Sequence, residues 1–195
     1  MEQIITPSPE SSGYIAGKCL VAMPAINDPN FARTVIYVCA HSPEGAMGLV
    51  LNRPISQVSF PDVLEQLGIE STPCCQDIRV HFGGPVESAR GFVLHTSEYH
   101  QAATLTVDPE IALTATTDVL QAIAAGEGPR ASLMALGYAG WSAGQLDGEL
   151  KENAWLTVDA DEALLFGEES ERKWEKAIRK LGVDPAMLSG TAGHA

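Results

Sequence analysis

The shortness of its apolar runs constrains this chain most. KCLVAM, RTVIYVCA and AMGLVLN follow one another within residues 18–52, rich in Val, Ile and Leu and broken by Gly, Pro and Asn. Short β-rich runs bounded by turn formers read as strands. IRVHF, GFVLHT, TLTV, IALTA, ASLMALGY and AWLTV continue the series, and in IALTA alternation puts Ile111, Leu113 and Ala115 on one face. None approaches the ~18 apolar residues of a membrane helix. Helical spacing is confined to three stretches. Ser59 and Pro61 open one that runs through Leu64 and Leu67 to Gly68. Thr117 and Asp118 open another carrying Val119, Leu120 and Ile123, stopped by Gly126 and Gly128-Pro129. The third, about 169–181, sets Trp174, Ala177, Ile178 and Leu181 at i, i+3, i+4, i+7. Strands arriving in pairs with short turns, and few short helices, predict an α+β fold with a mixed sheet, not a doubly wound parallel one.

A chain of 195 residues fits one domain. We expect residues 1–13 to be a disordered lead, 14–188 a single domain, and 189–195 a frayed tail. The start, MEQIITPSPESSG, lacks the basic end and apolar centre of a signal peptide, which predicts a cytoplasmic protein. Twelve basic against twenty-five acidic residues give a net charge of −13. That field repels phosphate backbones and anionic lipid, so nucleic acid and membrane are disfavoured as partners. Cys19, Cys39, Cys74 and Cys75 contain no C-x-x-C, and read as reduced thiols outside any zinc site or disulfide framework.

The tract GYAGWSAGQLDGEL, residues 137–150, is the segment most like a functional loop. Read physically, it is a strand end, a glycine turn and a helix start. Ser142 and Gln145 fit a capping box, with Trp141 and Leu146 at the positions of a hydrophobic staple. Gly140, Gly144 and Gly148 recur every fourth residue, and on a helix the last two leave a strip where another backbone could approach. Asp147 and Glu149 add negative charge at a helix start whose first amides already have partners, which argues against a phosphate cradle. Gln145, Glu149 and Asn153 form a polar face, solvated or the floor of a cleft.

GKCLVAMPAINDPNFARTVIYVCAH, GAMGLVLNRP, HFGGPV, GFVLH and GYAGWSAGQLDGEL with the following NAWL resemble the YqgE/AlgH family over roughly residues 17–167. Asp147 stands where that family more often has glutamate. The resemblance implies a bifurcated mixed sheet, a small closed barrel and surrounding short helices. It implies no settled activity and no cofactor; some members are labelled transcriptional regulators linked to alginate control.

Other candidates have two readings each. Arg33 is an anion clamp or the ion-pair partner of Asp28. Asn52 closes a turn, and Arg53 either supports it or faces a cleft. His81-Phe82-Gly83-Gly84-Pro85 has the composition of an esterase oxyanion loop, but the chain has no G-x-S-x-G, so the reading preferred is a glycine turn between two strands, pinned by Pro85, that could line a groove. His41, His95 and His100 lack metal-ligand spacing and read as hydrogen-bonded structural histidines, with Cys39 and His41 on one strand face. The basic residues of the last helix stand in i, i+4 pairs, Glu168–Arg172, Glu169–Lys173 and Glu175–Arg179, and read as a solvated amphipathic surface.

The leading expectation is a non-enzymatic regulator acting through a protein partner, with Asp28, Arg33, Asn52, Arg53 and the Gly83-Gly84 turn as the contact surface. A small-molecule binder or hydrolase is the alternative, its cleft built from His81, Gly83, Gly84 and the Gln145/Glu149 face. Direct DNA binding by the last helix is the third reading.

Overall fold

Alternation along the first strands sets the architecture. β1 (Lys18–Ala22), β2 (Val35–Ser42) and β3 (Gly45–Val50) are antiparallel neighbours. Cys19, Val21, Val35, Tyr37, Cys39 and Leu49 enter one core, while Leu20, Ala22, Ile36, Val38 and Val50 enter another on the opposite face. A strand covered on both faces must be apolar at nearly every position, which is why these segments read as unbroken hydrophobic runs.

The computed structural model describes residues 14–188, so the expectations for 1–13 and 189–195 lie outside the described residues. After β3 come β4 (Pro54–Ser59), α1 (Phe60–Gln66), a 3-10 turn at Pro73–Cys75, and β5 (Arg79–Phe82). β6 (Val86–Thr96), β7 (Leu105–Thr106) and β8 (Ile111–Thr114) follow, then α2 (Thr117–Ala124) and β9 (Ser132–Ser142). The chain ends through α3 (Gln145–Lys151), β10 (Trp155–Asp159), α4 (Glu162–Phe166), a 3-10 turn at Ser170–Arg172, α5 (Lys173–Lys180) and a last turn at Pro185–Met187. Ser59 caps α1 in a reciprocal box: its Oγ accepts from Asp62 N at 3.2 Å, and Asp62 Oδ2 accepts from Ser59 N at 2.9 Å.

The fold is a mixed α+β domain whose sheet curls into a half-barrel with short helices around it. Strand order is β10-β1-β2-β3-β9-β6-β8-β7, with β10 and β7 at the free edges. The bifurcation lies on β9. Met134–Leu136 pair in parallel with β5, whereas Ala139–Ser142 pair antiparallel with β3, and β6 holds the other edge. The inner face of the half-barrel packs against Leu164, Leu165, Trp174, Ala177 and Ile178 of α4 and α5. The outer face divides. Trp141, Leu146 and Trp155 cover the β1–β3 wing; Phe60, Leu64, Val119 and Leu120 cover the wing of β5 and β6.

Three local expectations are corrected. The glycine turn of the 137–150 tract lies at Ala143-Gly144 and not at Gly140, since β9 runs on to Ser142 and its Ala139–Ser142 end pairs with β3. The last helix is a 3-10 turn followed by α5, not one helix over 169–181. β4 and α4 were not anticipated: β4 is polar and opens on Pro54, and α4 is five residues long.

Candidate functional site

Three of the turns singled out in the sequence meet, and they meet as scaffolding. Arg53 donates from Nη1 to the Pro29 carbonyl at 2.9 Å and from Nη2 to the Ala32 carbonyl at 2.5 Å. Asn52 accepts from Val35 N at 3.0 Å and donates to the Arg33 carbonyl at 2.9 Å. Phe82 N then donates to the Arg53 carbonyl at 2.7 Å. Asn52 and Arg53 therefore hold the 28–35 loop by its backbone; the asparagine bonds that loop instead of its own turn, and the guanidinium is committed to two of its carbonyls. Asp28 accepts from Asn30 N at 2.8 Å and closes its own turn. Arg33 does not pair with Asp28. Its backbone is left-handed at φ 56, its guanidinium stacks 4.2 Å above the Trp174 ring, and Glu175 is its ion-pair partner at 3.8 Å.

The HFGGP turn is where β9 divides its pairing. A Cβ on Gly83 would lie 2.3 Å from the Gly137 carbonyl oxygen, and one on Gly84 2.0 Å from the Tyr138 carbonyl carbon. Only glycine lets the two backbones approach this closely. Gly83 N donates to the Leu136 carbonyl at 2.8 Å, so this amide is not available to an oxyanion. Both glycines are buried.

His81, one strand residue earlier in the same motif, does face a cavity. A cleft of about 540 Å³ lies between residues 76–79 and β5 on one side and Ser132, Leu133 and the 166–170 segment on the other. His81 is 6% exposed, and its Nδ1 lies 3.3 Å from the Met134 carbonyl. A carbonyl can only accept, so Nδ1 carries the proton and the lone pair sits on Nε2. Burial, reinforced by the nearby Lys173 ammonium, pushes His81 down to about 4. Lys173 is itself 2% exposed, donating to the Leu165 carbonyl at 3.1 Å and the Leu51 carbonyl at 3.4 Å, with no carboxylate partner among the described residues. Burial brings it down to about 8. Asp77, Arg79 and Glu168 bring charge to the cleft, with Arg79 Nη1 donating to the Glu168 carbonyl at 3.3 Å. An imidazole neutral down to about pH 4 is a weak general base at neutral pH and a dependable hydrogen-bond acceptor.

Gln145 and Glu149 do not join this cleft. His81 is in register with Ala135, while Glu149 reaches Trp141, six residues further along β9 and about 20 Å away by strand rise. Nor is their face simply solvated. Glu149 Oε2 accepts from Trp141 Nε1 and from Trp155 Nε1, each at 2.8 Å, and Gln145 Nε2 donates to Glu149 Oε1 at 3.1 Å. The two indoles meet edge to face, with centroids 6.1 Å apart. Half of the expected capping box exists: Gln145 Oε1 accepts from Ser142 N at 3.0 Å. Ser142 Oγ turns to the same Gln145 oxygen and not to an amide, because β9 continues through Ser142 and the helix N-cap is Gly144, left-handed at φ 73. Trp141 and Leu146 still share one core, but with Gly144 as N-cap they are not at the N′ and N4 positions of a staple. No atom stands within 4 Å of a Cβ built on Gly144 or Gly148, so no backbone packs on that strip, and Gly140 meets only the Tyr138 ring and Val86.

The remaining candidates are structural. His41 Nδ1 accepts from Ile15 N at 3.2 Å, leaving Nε2–H to donate to Asp147 at 3.4 Å. A bulge between Val38 and Ala40 reverses the alternation, so Cys39 and His41 are not on one face. His95 is enclosed, bonded to the Thr96 carbonyl and the Thr114 hydroxyl. Burial pushes the Cys19 thiol up to about 12 and raises Cys39 as well. In α5, Lys173 is buried and not part of a solvated face. Arg172 and Lys176 pair with Glu169, Arg179 with Glu175, and Lys180 with Asp161, so of the expected i, i+4 pairs only Glu175–Arg179 forms. Among the described residues no group of three His, Cys, Asp or Glu stands close enough to hold a metal, and no helix is long and apolar enough to cross a membrane.

Sequence reasoning missed Ser132, Ser170, Arg79 and above all Lys173 in and behind the cleft. One signal for Lys173 was available: it lies four residues before Ala177, on the buried stripe of the helix.

Comparison with known proteins agrees with this architecture. Residues 19–186 match the family model described as DUF179, AlgH-like. A UPF0301 protein of Rhodospirillum rubrum is 61% identical over 183 residues, covering 94% of this chain and 95% of the relative. A UPF0301 protein of Bradyrhizobium diazoefficiens is 49% identical, covering 96% of this chain and 91% of the relative. Among solved structures, the AlgH protein from Pseudomonas aeruginosa superposes with a TM-score of 0.77 at 47% identity, covering 98% of this chain and 100% of that one. Protein DIP2367 from Corynebacterium diphtheriae shares the fold, with a TM-score of 0.69 at 21% identity over 96% of this chain and 92% of that one. With the family model spanning nearly the whole described domain, the chain belongs to the AlgH-like, UPF0301 family.

Proposed function

We propose that the chain is a cytoplasmic regulatory protein that binds a small polar ligand in the cleft at His81, does not turn it over, and passes on its occupancy by contact with a protein partner. One observation carries the binding step: a buried, neutral imidazole faces a cavity of a size suited to small ligands. A ligand N–H or O–H directed at His81 Nε2, with polar groups toward Ser132, Ser170 and Arg79, matches the lining. The regulatory part leans on the family resemblance, since some members are labelled regulators. Protein contact is favoured over DNA because the net charge is −13 and the exposed cations of α5 already face carboxylates. The contact surface first assigned to Asn52, Arg53, Gly83 and Gly84 is not retained, since those residues serve the loop and the strand crossing.

The test is a thermal-shift screen of polar metabolites against the wild type and His81→Gln. A ligand present at ~100 times its dissociation constant stabilises by ~2.7 kcal/mol. The expected result is a compound that shifts the wild type and leaves the variant unmoved. A compound shifting both equally places the site elsewhere. His81-dependent conversion of the compound to product would replace binding by catalysis.

A further inference from the structure

Cys74 and Cys75 stand apart from the other two thiols. Cys74 is exposed, Cys75 is buried in the third core, and both occupy the 3-10 turn that leads directly into residues 76–79, one wall of the cleft. A single hydroxyl gathers them. Thr72 Oγ1 lies 2.8 Å from Cys74 Sγ, 3.5 Å from Cys75 Sγ and 2.9 Å from the Ala124 carbonyl. The carbonyl can only accept, so it takes the Thr72 proton, and the thiols donate to Thr72 Oγ1. When a sulfur ionises, the hydroxyl can turn and donate to it. Burial pushes the Cys75 thiol up, but hydrogen bonds from Thr72 and Cys74 outweigh it and leave the thiol below its ordinary range. An accessible thiol beside a second thiol is the arrangement of a redox-responsive pair.

We propose that Cys74 and Cys75 form a thiol–disulfide exchange site in the turn that leads into the wall of the cleft, in which Cys74 takes up a low-molecular-weight disulfide of the glutathione class and Cys75 resolves the adduct. In the first step the Cys74 thiolate attacks one sulfur of the small disulfide. Its S–S bond breaks, a mixed disulfide forms on Cys74, and the leaving thiolate takes up a proton. In the second step the Cys75 thiolate attacks Cys74 Sγ, the mixed disulfide breaks, and a second small thiol departs with a proton. Two protein thiols are oxidised to one disulfide, one small disulfide is reduced to two thiols, and the two protons shed by the cysteines leave on them. Closing the pair pulls Cys75 from its core position and removes both sulfurs from Thr72, which links this turn to the end of α2. The cleft wall that follows is the first segment to feel it.

The experiment incubates the full chain with oxidised glutathione and maps the products by peptide mass spectrometry, a readout independent of any cleft ligand. The wild type is expected to lose the mass of two hydrogens on the peptide carrying both residues. Cys75→Ser is expected to stop at one glutathione adduct on Cys74, and Cys75→Ala serves if serine is not tolerated in the core. Cys74→Ser is expected to stay unmodified, because Cys19 and Cys39 are enclosed. A stable adduct on the wild type with Cys75 left free would overturn the proposal, as would equal modification of the wild type and Cys74→Ser.

Discussion

Replacing Glu149 by alanine removes one oxygen that two tryptophans share. Trp141 and Trp155 are 7% and 5% exposed, and each donates its indole N–H to Glu149 Oε2 at 2.8 Å. Hydrogen bonds to a charged acceptor contribute ~1.5–3 kcal/mol each, and a buried donor left without a partner costs ~1–3 kcal/mol. These two ranges describe the same loss from two sides, so they are not added. Because Glu149 is only half-buried, the lower part of each range applies, and two donors give about 3–5 kcal/mol. Domains of this kind have ~5–15 kcal/mol in all, so Glu149→Ala leaves a marginal protein. Glu149→Gln separates the acceptor from the charge. Its amide oxygen still accepts from both indoles but as a neutral group, and the contact with Gln145 is lost, so the cost is about 2 kcal/mol. Urea unfolding followed by tryptophan fluorescence and by far-ultraviolet circular dichroism reads both variants at pH 7. The denaturant dependence should be unchanged while the midpoint falls. If Glu149→Ala stays within about 1 kcal/mol of the wild type, or matches Glu149→Gln, the shared oxygen is not what seats the indoles.

His81 supplies a pH signature. Its folded pKa of about 4 lies below the ordinary 6.5, so the unfolded chain takes up the proton first. Stability is full above about pH 6.5 and falls by up to about 3 kcal/mol as pH drops through 4. Urea unfolding at pH 7 and 4.5 should show less of this loss in His81→Gln, and an identical loss contradicts the assignment. Lys173 acts at the other end: folded near 8 against 10.5, it makes stability rise by up to about 3 kcal/mol as pH climbs from about 8 to 10.5. Lys173→Met should flatten that rise, and an unchanged slope by the same assay contradicts it. Gly84→Ala should cost at least about 3 kcal/mol, since the new methyl meets Tyr138 backbone at 2.0 Å with φ at +154. Gly144→Ala, left-handed but in open space, should cost only about 1 kcal/mol, and equal melting temperatures would refute the distinction.

The strands were legible because both of their faces are buried. Ile36 and Tyr37 enter different cores, so the segment is apolar without interruption and its β-branched content decides for strand over helix. The cap of α1 was legible because Ser59 and Pro61 act within one turn. β4 was not, since its residues are mostly exposed and its pairing with β5 spans more than twenty residues of sequence. The run of β9 through Gly140 was hidden for a related reason. A glycine beside a tryptophan looks like a turn locally, and it is pairing with β3, Met47 opposite Gly140, that keeps the backbone extended there.

The candidate site was harder to read, because its chemistry comes from burial and not from residue type. His81 in HFGGP was visible as a candidate, but its neutrality comes first from burial, with Lys173, ninety-two residues later and enclosed nearby, adding to it. Lys173 in turn looked like one of five cations on a solvated helix. The distinction is a matter of angle. Arg172 and Lys176 turn outward to Glu169, while Lys173, Trp174, Ala177 and Ile178 turn inward, and a lysine caught on the inner stripe must give its protons to carbonyls. Glu149 carries the same lesson in reverse: its position one turn from Gln145 suggested a polar face, and two indoles arriving from β9 and β10 make that carboxylate a point of closure for the core. A buried ammonium without a carboxylate destabilises the fold at neutral pH, whereas a carboxylate shared by two indoles stabilises it. The two groups therefore act in opposite senses on the same fold: the cost at Lys173 falls beside His81, and the gain at Glu149 falls about 20 Å away at the far end of β9.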